Sequence, residues 1–264
     1  MSTRAFDWSE AERHLAGADP KLAALMERVG PCTMGRPGLS IFYSLARSIV
    51  YQQLAGAAAA AIMARVDRLF GEGPCAVEHI AAATEEQLRS AGLSRAKMLA
   101  LKDLAAKTLD GTVPTEEEMR SLSDDEIIER VTKVRGIGRW TVEMLLMFRL
   151  CRSNVLPTDD YGVRKGMQWL YRMRELPTKE QMLKRGKKWH PWRSVGSWYM
   201  WRVVELPENQ KRRRTGKKTA SKAVPKKAAK KSSAKEIASK KTASARTRPA
   251  KRTSPRKRRS RLLS

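Results

Sequence analysis

Apolar residues recur along this chain at helical spacing, with almost none of the alternation that marks strands. A helix is predicted over residues 42–52, because Phe42, Leu45, Ala46 and Val50 share one face. Ala, Leu, Met, Arg and Glu, which favour helices, dominate the first 206 residues. The pattern predicts an all-α fold.

Two of the predicted helices form a hairpin around Gly136 and Gly138. Ser123 and Glu126 have capping-box spacing and start the first helix. Glycine turns tightly at no steric cost, so this helix ends at the glycines, and a second helix runs from near Arg139 to about Leu150.

The start of the second hairpin helix is a candidate anion-binding site. Its first N–H groups lack partners within the helix, and the helix dipole adds positive charge there. Arg135 and Arg139 flank the turn, and Ile137 is the small apolar residue that lets the hairpin pack. A DNA phosphate fits such a site. The alternative is an ordinary helix–turn–helix corner with a glycine cap.

Two adjacent carboxylates, Asp159 and Asp160, follow Pro157 where the next helix is predicted to begin. A carboxylate at a helix start accepts backbone N–H bonds and stays ionised. One of the two is explained as a cap. The second, followed by the aromatic Tyr161, is a candidate functional carboxylate.

Charge is distributed very unevenly along the 264 residues. The net charge is +27, of which residues 1–206 contribute +6 and residues 207–264 contribute +21. The second segment is rich in Lys, Ala, Ser, Thr, Arg and Pro and is predicted to be a disordered tail that binds DNA phosphates without sequence preference. A solubility tail, a localisation signal and attraction to an anionic membrane are the alternatives.

Cysteine usage and the absence of apolar runs narrow the class of protein. Cys32, Cys75 and Cys151 are few, odd in number and far apart, which suggests neither disulfides nor a zinc site. No segment reads as a signal peptide or a membrane span. We therefore expect a soluble protein of a reducing compartment, cytoplasmic and nucleoid-associated, or nuclear in a eukaryote.

The motifs Gly-Ile-Gly-Arg-Trp-Thr at 136–141 and Leu-Pro-Thr-Asp-Asp-Tyr at 156–161 resemble those of the helix-hairpin-helix, Gly/Pro-rich-loop, aspartate superfamily of DNA glycosylases. Within it, the chain is most similar to the 3-methyladenine DNA glycosylase II type. The resemblance covers roughly residues 40–206. It implies a two-lobed helical core over 1–206, with a middle bundle at about 55–155 and terminal helices forming the second lobe, followed by the tail at 207–264.

The resemblance also implies roles for individual residues. Asp160 would be the catalytic residue, which stabilises positive charge on the sugar and orients water. The candidate residues of the base pocket are Trp140, Met144, Tyr161 and Trp201, with Asp159 as a helper or cap. The candidate DNA contacts are Arg135, Gly136, Ile137, Gly138, Arg139, Gln53 and Leu54. Leu54 would fill the gap left by the extruded nucleotide; a buried core leucine is the alternative.

Trp140 bears on the reaction class. Strand-cleaving members of the superfamily carry a nucleophilic lysine at this position, so tryptophan implies base excision without a lyase step. Met144 stands where the resembled type has tyrosine, which leaves the substrate range open. No cysteine follows Cys151, so the iron–sulfur cluster of some relatives is excluded. No cofactor or resident metal is expected beyond a monovalent cation at the hairpin carbonyls.

The resulting hypothesis is a monomeric, monofunctional glycosylase that acts on damaged bases in double-stranded DNA. Its expected substrates are alkylated purines of the 3-methyladenine and 7-methylguanine type. A non-catalytic architectural DNA-binding protein and a glycosylase for neutral lesions such as hypoxanthine or ethenoadducts are the alternatives.

Two further expectations concern the middle of the chain: residues 57–61 would be core, and Lys97 and Lys102 would lie on a solvated face.

Overall fold

The computed structural model describes residues 7–35 and 38–210, and all regular structure within them is helical, without a strand. The all-α prediction is therefore confirmed. The thirteen helices of this part of the chain are α1 (Ser9–Ala18), α2 (Pro20–Val29), α3 (Ile41–Tyr51), α4 (Gly56–Arg68), α5 (Val77–Ala82), α6 (Glu85–Ser90), α7 (Arg95–Leu109), α8 (Glu116–Ser121), α9 (Asp124–Val131), α10 (Arg139–Phe148), α11 (Tyr161–Leu170), α12 (Lys179–Gly186) and α13 (Arg193–Glu205).

Side-chain caps fix where many of these helices begin. The predicted capping box at α9 is present: Ser123 Oγ accepts from the Glu126 N–H at 3.3 Å, and Glu126 Oε2 accepts from the Ser123 N–H at 2.8 Å. Each bond satisfies a donor that the helix itself leaves without a partner. α10 differs, because no side chain caps its N-terminus at Gly138.

Helices from both ends of the described chain pack together. α13 contacts α1, α2 and α11, and α1 contacts α2. α11 and α13 approach backbone to backbone at Gly166, where a Cβ atom would collide with the Met200 carbonyl. This close crossing fixes the start of α11 relative to α13.

A second set of helices packs around α7 and α10. α3 contacts α4, α7 and α10; α5 and α6 contact α7; and α9 contacts α10. Lys97 and Lys102 are not a solvated face, because both ammonium groups donate to backbone carbonyls. Of residues 57–61 only Ala59 is buried, so that the first turns of α4 are exposed rather than core.

The structure describes the first four residues of the predicted tail, 207–210. Residues 207–210 have helical backbone. The Asn209 amide donates to the Val203 carbonyl at 2.8 Å, and Arg28 pairs with Glu208 at 2.6 Å, which ties these residues to α13 and α2. The rest of the predicted disordered tail, 211–264, lies outside the described residues.

No helix in the described ranges is long and apolar enough to span a membrane.

Candidate active site and hairpin

Asp160 is the N-cap of α11 and is buried, with 8% of its surface exposed. Three N–H groups donate to its carboxylate. Oδ1 accepts from the Val163 backbone at 2.7 Å and from the Trp201 indole at 2.9 Å, and Oδ2 accepts from the Trp140 indole at 2.7 Å. The predicted catalytic aspartate and two predicted pocket tryptophans therefore form one cluster.

Gly162 makes this cluster possible. A Cβ atom at position 162 would lie 2.6 Å from Cδ1 of Trp201 and 3.1 Å from Oδ1 of Asp160. Only a residue without a side chain leaves room for the indole to reach the carboxylate. No sequence pattern distinguishes this glycine from an ordinary helical one.

The helper aspartate has a different environment from the one predicted. Asp159 is exposed, and the cap that it was expected to share is made by Asp160. Its charge still acts locally, since Asp159 contributes to the raised pKa of Glu143.

A cavity of about 460 Å³, lined by both apolar and polar side chains, adjoins the cluster between α3 and α10. Met144 and Phe148 line it, one and two turns after Trp140 on the same face of α10. Phe148 also stacks on Trp201, with ring centroids 5.5 Å apart. Phe148 thus connects the cavity to the indole that donates to Asp160, and the predicted pocket residue Met144 is part of the cavity wall.

The aromatic residues nearest the carboxylate are partly open to solvent. Trp140 is 48% exposed although its indole N–H is bonded to Asp160. Tyr161 is 59% exposed and does not line the cavity. The structure therefore brings Trp140 and Trp201 together at Asp160, places Met144 in the wall of the neighbouring cavity, and leaves Tyr161 exposed outside that cavity.

The hairpin has the geometry expected of an anion-binding site. Gly136 has a φ of +78°, a left-handed conformation that favours glycine, and Ile137 is buried. The first backbone acceptor of α10 is Gly138 O, which is bonded by the Thr141 and Val142 N–H groups. The preceding N–H groups, of Gly138, Arg139 and Trp140, have no acceptor within the helix and no side-chain cap.

Two side chains from other helices hold the hairpin turn. Gln52 Nε2 donates to the Gly136 carbonyl at 2.8 Å, and Asp103 Oδ2 accepts from the Arg135 backbone N–H at 2.7 Å. Burial raises the pKa of the Asp103 carboxyl, but the bonds from Lys107 and from the Arg135 N–H outweigh it and leave that pKa below its usual range. Asp103 is thus stabilised as an anion beneath the turn.

The two arginines beside the turn are not equivalent. The Arg135 side chain is exposed. Arg139 pairs with the buried Glu143 at 3.1 Å and with Asp125 at 3.5 Å. Burial is the main cause that raises the pKa of Glu143, and the Arg139 guanidinium opposes it. Only Arg135 has a guanidinium that does not already pair with acids of the hairpin.

The loop after α3 projects an apolar side chain. Gln53 has a φ of +58°, and Leu54 is 40% exposed. Lys97 supports this loop from below by donating to the Val50 and Gln52 carbonyls at 2.6 and 2.8 Å. The alternative of a buried leucine is wrong, since Leu54 stands out from a supported turn.

Several residues of the site were missed from sequence. Phe148 had a detectable signal, because it continues the spacing of Trp140 and Met144 along one helical face. Gln52, Lys97 and Asp103 had no such signal, because each bonds to a residue far away in the sequence. The separation is 84 residues for Gln52, 45 to 47 for Lys97 and 32 for Asp103. Among the described residues no group of three or more His, Cys, Asp or Glu side chains could hold a metal ion.

Comparisons with known proteins identify relatives of this chain. A family model described as an HhH-GPD superfamily base excision DNA repair protein matches residues 46–191. DNA-3-methyladenine glycosylase 1 of Schizosaccharomyces pombe is 38% identical over 209 residues, which is 77% of this chain and 90% of that protein. DNA-3-methyladenine glycosylase 2 of Escherichia coli is 28% identical over 189 residues, 66% of this chain and 63% of that protein.

A solved structure is similar over the same region. The S. pombe 3-methyladenine DNA glycosylase Mag1, in complex with abasic DNA, superposes with a TM-score of 0.66 at 38% sequence identity. The match covers 75% of this chain and 98% of that one. The likeness thus extends over nearly the whole of the known enzyme.

Proposed function

Because the chain belongs to the HhH-GPD superfamily of base excision DNA repair proteins, we propose that it is a monofunctional DNA glycosylase that excises alkylated purines. The observation that carries the proposal is the buried Asp160 carboxylate, held by three N–H donors, two of which are the indoles of Trp140 and Trp201. A glycosylase needs a fixed negative charge next to the sugar, and this cluster supplies one.

Asp160 is arranged to act on both the sugar and the water. A carboxylate has about four acceptor positions, and three N–H groups occupy two on Oδ1 and one on Oδ2. Oδ2 retains a lone pair that can orient the attacking water. Cleavage of the N-glycosidic bond leaves positive charge on the sugar, and a charge that is already in place stabilises it without reorganisation.

The target base must leave the duplex before it reaches this site. The free N–H groups at the start of α10 are suited to a DNA phosphate, with Arg135 beside them. Leu54 projects from its supported loop and is suited to fill the space that the extruded nucleotide leaves. Double-stranded DNA with a damaged base is therefore the proposed partner, and the enzyme is DNA-associated and monomeric.

The substrate class follows from the walls of the site. Purines alkylated at N3 or N7 carry positive charge, and aromatic faces attract cations by about 0.5–2 kcal/mol. Trp140, Phe148 and Trp201 supply such faces. Trp140 cannot form an imine with the sugar, and its N–H is committed to Asp160, so no strand-cleaving step is proposed. No cofactor is invoked; a monovalent cation at the hairpin carbonyls remains a prediction.

A base-release assay with the full-length protein tests the proposal. Duplexes that carry 3-methyladenine, 7-methylguanine, hypoxanthine or an ethenoadduct are incubated with enzyme, and free base and strand breaks are measured separately. We expect release of the two methylated purines, with strands that break only after hot alkali. Tight binding without release of any base would favour the architectural alternative. Release of only hypoxanthine or the ethenoadduct would support a glycosylase whose substrates are neutral lesions rather than alkylated purines.

A further inference from the structure

Arg47 is a charged side chain at the cavity that the proposed mechanism does not use. It lies on α3, is exposed, and lines the cavity opposite Met144 and Phe148. Its guanidinium carbon is 4.1 Å from the centroid of the Tyr51 ring. Within the described residues it makes no ion pair and no hydrogen bond.

The other guanidinium of the cavity has a different status. Arg149 pairs with Glu116 at 2.5 Å and also donates to the Leu39 carbonyl. Its charge is neutralised and its donors are used within the protein. Arg47 is therefore the cation at this cavity whose N–H groups remain available to a ligand.

Arg47 stands between the cavity and the loop that carries Leu54. Tyr51 follows it by one helical turn, about 6 Å along the axis, and is the last residue of α3. The Leu54 N–H donates to the Tyr51 carbonyl at 3.4 Å, which connects the loop directly to this end of the helix. A nucleotide that leaves the stack beside Leu54 and enters the cavity would therefore lie close to Arg47.

Charge decides what Arg47 would contact. A cationic alkylated base would be repelled by a free guanidinium, whereas the phosphates on either side of the extruded nucleotide would be attracted. Arginine binds phosphate oxygens through charge-assisted hydrogen bonds. The Tyr51 ring holds the guanidinium by a cation–π contact, which uses none of its N–H groups.

We propose that Arg47 is a positioning residue that binds a phosphate flanking the extruded nucleotide and so holds the nucleotide in the cavity. This inference rests on the proposed glycosylase function. It identifies a phosphate contact separate from the hairpin, on the side of the site formed by α3.

The proposal is tested with full-length wild type, Arg47→Met and Arg47→Lys on duplexes that contain a tetrahydrofuran abasic analogue. This probe has no base, so it isolates contacts to the backbone. We expect Arg47→Met to weaken binding about tenfold, and Arg47→Lys to recover most of the loss, since lysine still binds phosphate as a point charge. Arg89→Met, an exposed arginine on α6, is the matched control and should bind like wild type.

Neutral methylphosphonate groups, placed in turn at the two phosphates flanking the analogue, identify the partner. At one position wild type and Arg47→Met should bind equally, because the contact is already lost. Full additivity at both positions would overturn the proposal. Unchanged abasic binding together with slower release of particular bases would also overturn it and make Arg47 a base-reading residue. Absence of base release by wild type would instead contradict the proposed function. The binding measurements on the abasic duplex would still test whether Arg47 contacts a phosphate.

Discussion

Asp160 combines two roles in one side chain, as helix cap and as the charged centre of the site. The Val163 N–H fixes it to α11, and two indoles from α10 and α13 fix its orientation. The residue that makes room for this arrangement carries no functional group: Gly162 lets Trp201 reach the carboxylate. Small displacements here are costly, since misplacing a catalytic group by about 1 Å can slow a reaction by about 100-fold.

We therefore predict that Gly162→Ala slows base release by roughly 10- to 100-fold, because the added methyl group pushes the Trp201 ring and turns the carboxylate. DNA affinity should change little, since the hairpin is not touched. Single-turnover rates and abasic-duplex binding measure the two effects. Gly17→Ala is the control, as a methyl group there meets nothing within 4 Å. A Gly162→Ala enzyme with the wild-type rate would show that the Trp201 contact is dispensable.

The hairpin formed by α9 and α10 depends on neighbours that lie far away in sequence. Its turn is held by Gln52 from the end of α3 and by Asp103 from α7. The same region of α3 leads into the Leu54 loop, which Lys97 from α7 supports. The two predicted DNA-contacting elements thus share α3 and α7 as a common support.

Replacing Asp103 by Asn should loosen the turn and lower the free energy of unfolding by about 1 kcal/mol at neutral pH. The pKa of Asp103 is depressed in the folded protein, so its contribution is present above its unfolded pKa of about 3.9 and is lost as the pH falls through the lower folded value. The difference between wild type and Asp103→Asn should therefore shrink below about pH 4. Denaturant unfolding at several pH values measures it.

Lys107→Met is the matched variant for this experiment. It removes the ion pair to Asp103 at 2.5 Å and keeps the bond from the Arg135 N–H. We expect Lys107→Met to lower the free energy of unfolding by less than Asp103→Asn, because the charged acceptor for the turn remains. Equal losses of unfolding free energy in the two variants would mean that the ion pair, rather than the contact to the turn, is what matters.

At the scale of the whole chain, most of the net positive charge lies outside the residues that the structure describes. Residues 211–264 hold 23 of the 54 Lys and Arg residues and a single acid, Glu236. Asp160, the cavity and the hairpin all lie in the part of the chain that the structure describes, before residue 211. We therefore expect residues before 211 to carry catalysis, and those after 211 to supply most of the sequence-independent affinity for DNA.

Deleting residues 211–264 should leave base release on a short duplex at low salt within about twofold of wild type. At physiological salt the affinity for undamaged DNA should fall at least about tenfold, with a shallower dependence on salt, because fewer phosphates are neutralised. The deletion retains 207–210, which bond to α13 and α2. Loss of nearly all activity on the short duplex would favour the architectural alternative.

Sequence patterns predicted the all-helical class and the hairpin because both arise from short-range signals, namely spacing, capping boxes and glycine pairs. Resemblance to a family, rather than residue spacing, distinguishes Asp160 from Asp159; in the structure Asp160 is buried and Asp159 is exposed. Contacts between distant helices could not be predicted. Lys97 and Lys102 read as surface lysines, and Gly162 as an ordinary glycine, until the packing of other elements was known.

The most direct test of the account compares Asp160→Asn with Asp159→Asn in single-turnover release of 3-methyladenine. Asn at 160 keeps the size of the side chain but removes its charge, so release should fall at least about 1,000-fold, while affinity for an abasic duplex stays within a few-fold. Asp159→Asn, an exposed neighbour of equal chemistry, should retain most of the activity. An Asp160→Asn enzyme that released 3-methyladenine at the wild-type rate would contradict the central claim.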